Sequence, residues 1–331
     1  MTPDRPIPPV GMDAIRTEGL TKHYDVGFWR RRPYVALDGL TLRVGQGEVF
    51  GFLGPNGAGK TTTLKLLMQL IYPTAGHAEI LGKAVGDLSV RRRIGYLPEN
   101  PYFYDNLTGE ELLVYFARVF GYSSSEGRQR ATRLLDEVGI GVERRFALRR
   151  YSKGMIQRVG IAQALINDPE LVFLDEPMSG LDPLGRHEVR ELILRLRDRG
   201  CTVFFSSHVL SDAEALCSRV AILTKGRLAA AGSLDELIAF QAGGWVVVVS
   251  GMAEETLNRV RHRIVSANRL GDGRFSLELS PSTRPEPLIA DLATSGVRVV
   301  SLNPLRTTLE DVFIDHVRAA SGEREVVKKT S

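Results

Sequence analysis

The sequence contains only two cysteines, Cys201 and Cys217, in 331 residues. Their spacing is neither that of a metal site nor that of a redox pair, which excludes a disulfide scaffold and a Cys-ligated metal and suits a reducing cytoplasm. Both are expected in the core. No run approaches the roughly 18 consecutive apolar residues of a membrane span, so the chain is not expected to cross a membrane on its own. The Pro-rich start (Pro3, Pro6, Pro8, Pro9) lacks the apolar region of a secretion signal. Residues 1–12 are expected to be disordered, with Met12 as an alternative start. A surplus of one charge is missing too. Lys and Arg total 43 against 39 Asp and Glu, a net charge of +4. That permits contact with phosphates or an anionic membrane surface but does not make a stripe that would track nucleic acid. There is no internal repeat. What remains is ordinary globular composition, 43% hydrophobic, and length enough for about two domains.

The most informative stretch is Gly54-Pro55-Asn56-Gly57-Ala58-Gly59-Lys60-Thr61-Thr62. The apolar run Val49 to Leu53 precedes it, and Leu64, Leu67, Met68 and Ile71 follow at helical spacing, so it reads as strand, glycine loop, helix. Backbone N–H groups of such a loop wrap a nucleotide's β-phosphate, and the helix N-terminus adds its positive dipole end. Lys60 is placed to reach the β and γ oxygens, and the Thr61 hydroxyl to ligate Mg²⁺. A plain Gly-rich turn would explain neither Lys60 nor Thr61.

Around this loop the chain reads in three sections. From about residue 15 to 100, short β-rich runs (Ala14 to Glu18, Leu40 to Val44, Val49 to Leu53, Ala78 to Ile80, Ile94 to Leu97) predict a mixed sheet leading into the loop. Between about 101 and 160 the apolar residues change to helical spacing, with a capping box at Thr108 and Glu111. From Glu170 strands return (Leu171 to Leu174, Thr202 to Ser206, Val220 to Leu223), alternating with helical patterns such as Val189 to Asp198, which predicts a largely parallel sheet covered by helices. A helix from Leu234 to Phe240 ends at Ala242-Gly243-Gly244. The expected organisation is thus a first domain over 13–240, a small α+β domain over 244–318 and a frayed tail over 319–331. The basic-aromatic stretch Phe28-Trp29-Arg30-Arg31-Arg32-Pro33 reads as a solvated hairpin tip, with contact to lipid headgroups or the nucleotide as the alternative.

Four further features bear on chemistry. Leu171 to Leu174 is an apolar strand ending in Asp175 and Glu176. In a parallel sheet such a strand end points toward the loop, where Asp175 can bind Mg²⁺ through water and Glu176 can polarise an attacking water. A solvated acidic turn would read alike in isolation; the loop upstream decides for chemistry. Ser152-Lys153-Gly154 at a helix start offers a hydroxyl and free N–H groups to an anion, although an ordinary N-cap has the same form. Ser179-Gly180-Leu181-Asp182 follows the carboxylates, and His208 lies beyond the strand Val203 to Ser206, on the loop's side of the sheet.

Glycine loop, Glu99 segment, Ser-x-Gly motif, Asp-Glu strand, Ser-Gly-Leu-Asp and His, in this order, resemble the ATPase subunit of ATP-binding cassette (ABC) transporters over roughly residues 15 to 240. The resemblance implies an α/β fold: a P-loop NTPase core with mixed and parallel sheet and a helical subdomain, plus a small C-terminal accessory domain. It implies ATP and Mg²⁺ as cofactors and a head-to-tail homodimer in which each ATP lies between the P-loop of one subunit and the Ser152–Gly154 motif of the other. On that likeness Ser152 and Gly154 contact the γ-phosphate across the dimer, Asp182 lies at the interface, Glu176 is the general base, His208 is a γ-phosphate switch and Lys60 carries charge in catalysis. Tyr24 corresponds to the aromatic that stacks on adenine, with Phe28, Trp29 and Tyr34 as neighbouring alternatives. Two positions depart from the pattern: Glu99 stands where glutamine is usual, and Tyr151-Ser152-Lys153-Gly154-Met155 replaces Leu-Ser-Gly-Gly-Gln. A carboxylate is also a hard oxygen ligand, so Glu99 joins Thr61 and Asp175 as an expected Mg²⁺ ligand. Both departures, and the segment Thr308 to Phe313, resemble the exporter branch. The implied partner is a separate multi-span membrane permease, at the cytoplasmic face of the membrane, with no nucleic acid. The alternative function is a soluble ABC ATPase acting on ribosomes or nucleic acid, a class that usually carries two cassettes or a long coiled-coil insert; neither is present.

Overall fold

The computed structural model describes residues 12–26, 32–239, 242–271, 273–306 and 308–314. The disorder expected for the N-terminus (Met12 apart) and for the tail, and residues 28–31 of the basic loop, lie outside these.

The chain begins with two long strands, β1 (Asp13–Val26) and β2 (Arg32–Gly45), and continues into β3 (Val49–Leu53). Helix α1 (Lys60–Leu67) is followed by β4 (Ala75–Ile80), β5 (Lys83–Ala84), α2 (Leu88–Arg91) and β6 (Ile94–Leu97). The helical stretch holds α3 (Gly109–Val119), α4 (Ser124–Glu137) and α5 (Lys153–Ala164). Then come β7 (Leu171–Asp175), α6 (Pro183–Asp198), β8 (Thr202–Ser207), α7 (Leu210–Leu216), β9 (Arg219–Thr224) and β10 (Arg227–Ser233).

The single mixed sheet expected before residue 100 is in fact two sheets. Strands β1, β2, β4 and β5 form an antiparallel sheet in the order β2-β1-β4-β5, whereas β3 and β6 belong to a six-stranded sheet in the order β10-β9-β3-β8-β7-β6. The reason is pairing at long range. Every residue of Val49-Phe50-Gly51-Phe52-Leu53 is buried, and the strand pairs in parallel with β8 on one side and β9 on the other, so it can only be central. Strands β1 and β2 also run far beyond the short apolar runs that announced them. They pair with each other from Asp13↔Gly45 to Val26↔Arg32, and the outer end of β2, Arg32 to Val35, is exposed. Strand β10 had no expectation; its Ala-rich, half-exposed pattern carries little signal, and it pairs antiparallel on the edge beside β9.

Phe50, Phe52, Phe173 and Phe204, all fully buried, lock the centre of the parallel sheet, with Phe50 and Phe204 stacked at 5.7 Å between centroids. Each such ring contributes about 1.5–3 kcal/mol by burial. Thr108 and Glu111 form the expected capping box on α3, and Ser123 with Glu126 forms a second on α4. Cys201 and Cys217 are free and buried, and burial pushes the Cys217 thiol well above its usual pKa.

A second compact unit begins at Leu234. The helix α8 (Leu234–Ala239), expected to close the first domain, therefore belongs to this unit. It continues with β11 (Ala242–Ser250), α9 (Glu254–Val260), β12 (Ser266–Gly271), β13 (Arg274–Leu279), α10 (Pro285–Thr294) and β14 (Arg298–Arg306). The sheet is antiparallel in the order β12-β13-β11-β14, and alternate residues Val247, Val249, Phe275, Leu277 and Leu279 pack with Leu288 and Leu292 of α10. It therefore has a core of its own.

Because the two units have separate cores, a chain ending at Ser233 is expected to stay folded and to bind ADP within severalfold of the full chain by titration calorimetry. A soluble truncation that no longer binds ADP would show the division to be functional nonsense.

Candidate functional site

Strands β3, β6, β7 and β8 are parallel, so their carboxyl ends lie along one edge of the sheet, the edge at which open α/β sheets bind ligands. From β3 the chain leaves through Gly54, whose N–H donates to the Ser207 carbonyl at 3.3 Å, and tightens with Ala58 N–H on the Pro55 carbonyl at 3.1 Å. It enters α1 at Gly59, which has φ +107°. A Cβ there would fall 2.4 Å from the Ala36 carbonyl oxygen, so the loop cannot close with a larger residue. Gly226 N–H holds the Ala58 carbonyl at 2.9 Å, and Asp38 N–H holds that of Gly226 at 2.8 Å, which ties the loop to β2 and to the β9–β10 turn.

This loop lines a cleft of about 260 Å³ with Pro55, Asn56, Gly57, Gly59, Lys60, Thr61 and Thr62; Tyr24, Tyr34 and Ala36 line it from the β1–β2 hairpin, and Glu99 and Glu176 complete it. Gly54 and Ala58 act beneath it through their backbones. Tyr24 and Tyr34 are directly opposed across the hairpin and so share a face. Lys22 Nζ sits 5.2 Å from the Tyr24 ring centroid and donates to the Tyr72 carbonyl at 2.7 Å. That cation–π contact braces one ring.

Three ionisable groups meet at the loop. Lys60 Nζ donates to the Gly54 carbonyl at 2.7 Å and lies 3.3 Å from Glu176 Oε1. Glu176 Oε2 shares a hydrogen bond of 2.9 Å with His208 Nδ1. The side chains of Lys60 and Glu176 are buried, and that of His208 is about half exposed. Glu176 has φ +50°, a backbone conformation that non-glycine residues seldom hold unless the surroundings enforce it. Ser206 supplies part of that enforcement: its Oγ accepts from the Glu176 N–H at 3.0 Å and donates to Asp175 Oδ1 at 2.5 Å. One hydroxyl thus fixes the Asp175 carboxylate and the backbone of Glu176.

Asp175 is 1% exposed. Burial raises its pKa, while the hydrogen bond from the Ser206 hydroxyl and the nearby Thr61 hydroxyl pull the other way. Its Oδ2 is buried without a hydrogen-bond partner. Such an acceptor beside the Thr61 hydroxyl fits a divalent cation. Among the described residues no group of three or more His, Cys, Asp or Glu side chains converges to hold a metal alone, so a cation here would share its ligands with a nucleotide's phosphates. The pKa of the Tyr96 hydroxyl is pushed up to about 12 by burial and by the charges of Asp175 and Glu99.

Ser152, Gly154 and Asp182 do not line the cleft. Ser152 Oγ accepts from Met155 N–H at 3.2 Å, and Asp182 Oδ1 from Gly185 N–H at 2.8 Å, so each caps a helix, α5 and α6 respectively. Sequence reasoning missed Ser206, which stands beside Asp175 in the parallel register of β7 and β8; only strand pairing could have found it. It also missed Gln157, whose amide is buried beneath the turn after Glu176.

The ABC transporter family matches residues 37–179 of the chain. An uncharacterized ABC transporter ATP-binding protein of Synechocystis sp. is 44% identical over 94% of this chain and 86% of its own. The daunorubicin/doxorubicin resistance ATP-binding protein DrrA of Streptomyces peucetius is 41% identical over 91% of each. A solved dimeric ATP-binding cassette in a post-hydrolysis state with ADP and phosphate superposes with TM-score 0.62 at 27% identity, covering 66% of this chain and 98% of that one. The chain belongs to the ATP-binding subunits of ABC transporters.

Gly59→Ala should cost about 2 kcal/mol or more, since both a left-handed φ and a backbone contact oppose a Cβ, and should abolish ADP binding. Denaturant unfolding and calorimetry check this; wild-type affinity in the variant would show that the loop can open freely.

Proposed function

We propose that the chain is the ATP-hydrolysing subunit of an exporter, working on a separate multi-span membrane permease at the cytoplasmic face of the membrane. The observation that carries the reading is the junction of Lys60, Glu176 and His208 at the end of the glycine loop. Support for export comes from the relatives, which include the Streptomyces peucetius drug-resistance protein and a bacitracin transport ATP-binding protein of Bacillus licheniformis, 42% identical over 65% of this chain. No helix among the described residues is long and apolar enough to cross a membrane, which suits a subunit that acts through a partner.

Hydrolysis is an in-line attack of water on the γ-phosphorus. The new P–O bond forms as the bond to the ADP oxygen breaks, and the water's proton passes to the Glu176 carboxylate. His208 holds that carboxylate in place, and Lys60 offsets charge on the transferring group. Loading the nucleotide requires Lys60 to exchange the Gly54 carbonyl and Glu176 for phosphate oxygens. Thr61, Asp175 and Glu99 would hold Mg²⁺, which supplies charge to the phosphates when bound. The Tyr24 ring, braced by Lys22, stacks on the base. Ser152 and Gly154, at the free end of α5, reach the γ-phosphate held by a second copy of the chain, and Asp182 lies at that interface. The dimeric solved cassette supports this arrangement.

Glu176→Gln keeps shape but removes the base, so turnover should fall by roughly 10² or more while ATP binding persists. An ATP-bound dimer should accumulate in sedimentation. Steady-state activity within twofold of wild type would remove Glu176 from this role.

Asp175→Asn retains an acceptor for the Ser206 hydroxyl and removes a charge that burial disfavours. Its raised folded-state pKa means the ionised carboxylate opposes folding above that pKa. The nucleotide-free variant should therefore unfold at the same temperature or higher, while the gain in ATP affinity on adding Mg²⁺ drops roughly tenfold. Lower apo stability with an unchanged Mg²⁺ effect would contradict the assignment.

A further inference from the structure

The turn that carries Glu176 is held from below by a helix that begins elsewhere. Gln157, 3% exposed on α5, donates through Nε2 to the Pro177 carbonyl at 3.2 Å and the Glu176 carbonyl at 3.4 Å. It is a buried amide donating to the two carbonyls that follow a strained φ. The other end of the same loop rests on the first turn of the same helix. Gly180 has φ +73°, and a Cβ there would fall 2.9 Å from Lys153 Cε; a Cβ on Gly154 would meet Leu181 Cδ2 at 3.2 Å. The segment from Glu176 to Leu181 is therefore clasped at its start by Gln157 and at its end by Lys153 and Gly154.

We infer that Gln157 is a positioning residue for the Glu176 carboxylate, and that it makes the first turns of α5 and the loop after Glu176 move as one body. The mechanical consequence depends on the head-to-tail dimer proposed above. Ser152 and Gly154 at the tip of α5 meet the nucleotide of the second subunit, while Gln157, on the following turn of that helix, holds the base of its own subunit. Engagement of one nucleotide by the tip is thereby transmitted to the carboxylate that acts on the other. The link is short and stiff: one buried side chain and two backbone carbonyls, inside a packed interior that resists continuous deformation.

Serine 206 and Gln157 divide the work. Ser206 holds the Glu176 N–H and Gln157 its carbonyl, so the residue is pinned on both sides of its Cα. Removing the Gln157 donors frees the carbonyl side alone. Nucleotide contacts through the glycine loop do not pass through this turn, so affinity for ADP should be untouched while the chemical step suffers.

The test uses Gln157→Glu, which keeps shape and removes both N–H donors, and Gln157→Met, which keeps similar volume with no donor or charge. Both are made in the full chain and compared with wild type for kcat, for ADP affinity by calorimetry and for ATP-dependent dimerisation. A fall in kcat on the order of tenfold in both variants, with ADP affinity within twofold and the unfolding temperature retained, is expected from a misplaced base. Wild-type kcat in either folded variant overturns the inference, as does a loss that falls on ADP affinity instead. If Gln157→Glu fails to fold because a carboxylate faces the two carbonyls, Gln157→Met alone decides. Wild-type chain that hydrolyses ATP without dimerising would overturn the transmission between sites while leaving the positioning role to be judged on kcat.

Discussion

One hydroxyl orders the carboxyl edge of the parallel sheet. Ser206 Oγ accepts the backbone N–H of Glu176 and donates to the Asp175 carboxylate, so the backbone of one acidic residue and the side chain of the next are held by a single buried atom. Both need such support, since Glu176 sits at a φ that its own backbone disfavours and Asp175 is buried against its preference for water. Ser206 is available only because β7 and β8 pair in parallel with Asp175 opposite Ser206. The packed phenylalanines at the centre of the sheet, Phe50, Phe173 and Phe204, hold that register.

From that constraint the remaining geometry follows. Glu176 meets Lys60 on one oxygen and His208 on the other, joining residues from three different strand ends. Charge separation across a buried group is expensive unless paired; here Glu176 has the ion pair to Lys60 and the hydrogen bond to His208, while Asp175 Oδ2, like Glu176 Oε1, is buried without a hydrogen bond. The local strain at Glu176 is offset by Ser206 above and Gln157 below. Glu176 is thus held through its backbone on both sides of its Cα.

Much of this was legible in the residues. The glycine loop announced itself because the chemistry of wrapping a phosphate needs those residue types in one short run, and β3 and β6 match the apolar runs that predicted them. The capping box at Thr108 and Glu111 is likewise a matter of residues three apart. The extent of β1 and β2 was not legible, because their outer ends are largely exposed and gain stability from pairing with each other. The place of α8 was missed for a similar reason: a helical pattern shows that a helix forms but not which core it joins.

The sequence by itself determined the local chemistry: a phosphate-wrapping loop with Lys60 and Thr61, an acidic strand end at Asp175 and Glu176, and a histidine beyond the next strand. These are set by residues close along the chain, where spacing maps directly onto geometry. Only the tertiary structure decided that Ser206 and Gln157 hold Glu176, that Tyr34 joins Tyr24 at the cleft, and that Ser152, Gly154 and Asp182 stay outside it. Those facts depend on which strands and helices pack together, and strand order and helix packing are decided by contacts between residues far apart in the chain, which no local pattern encodes.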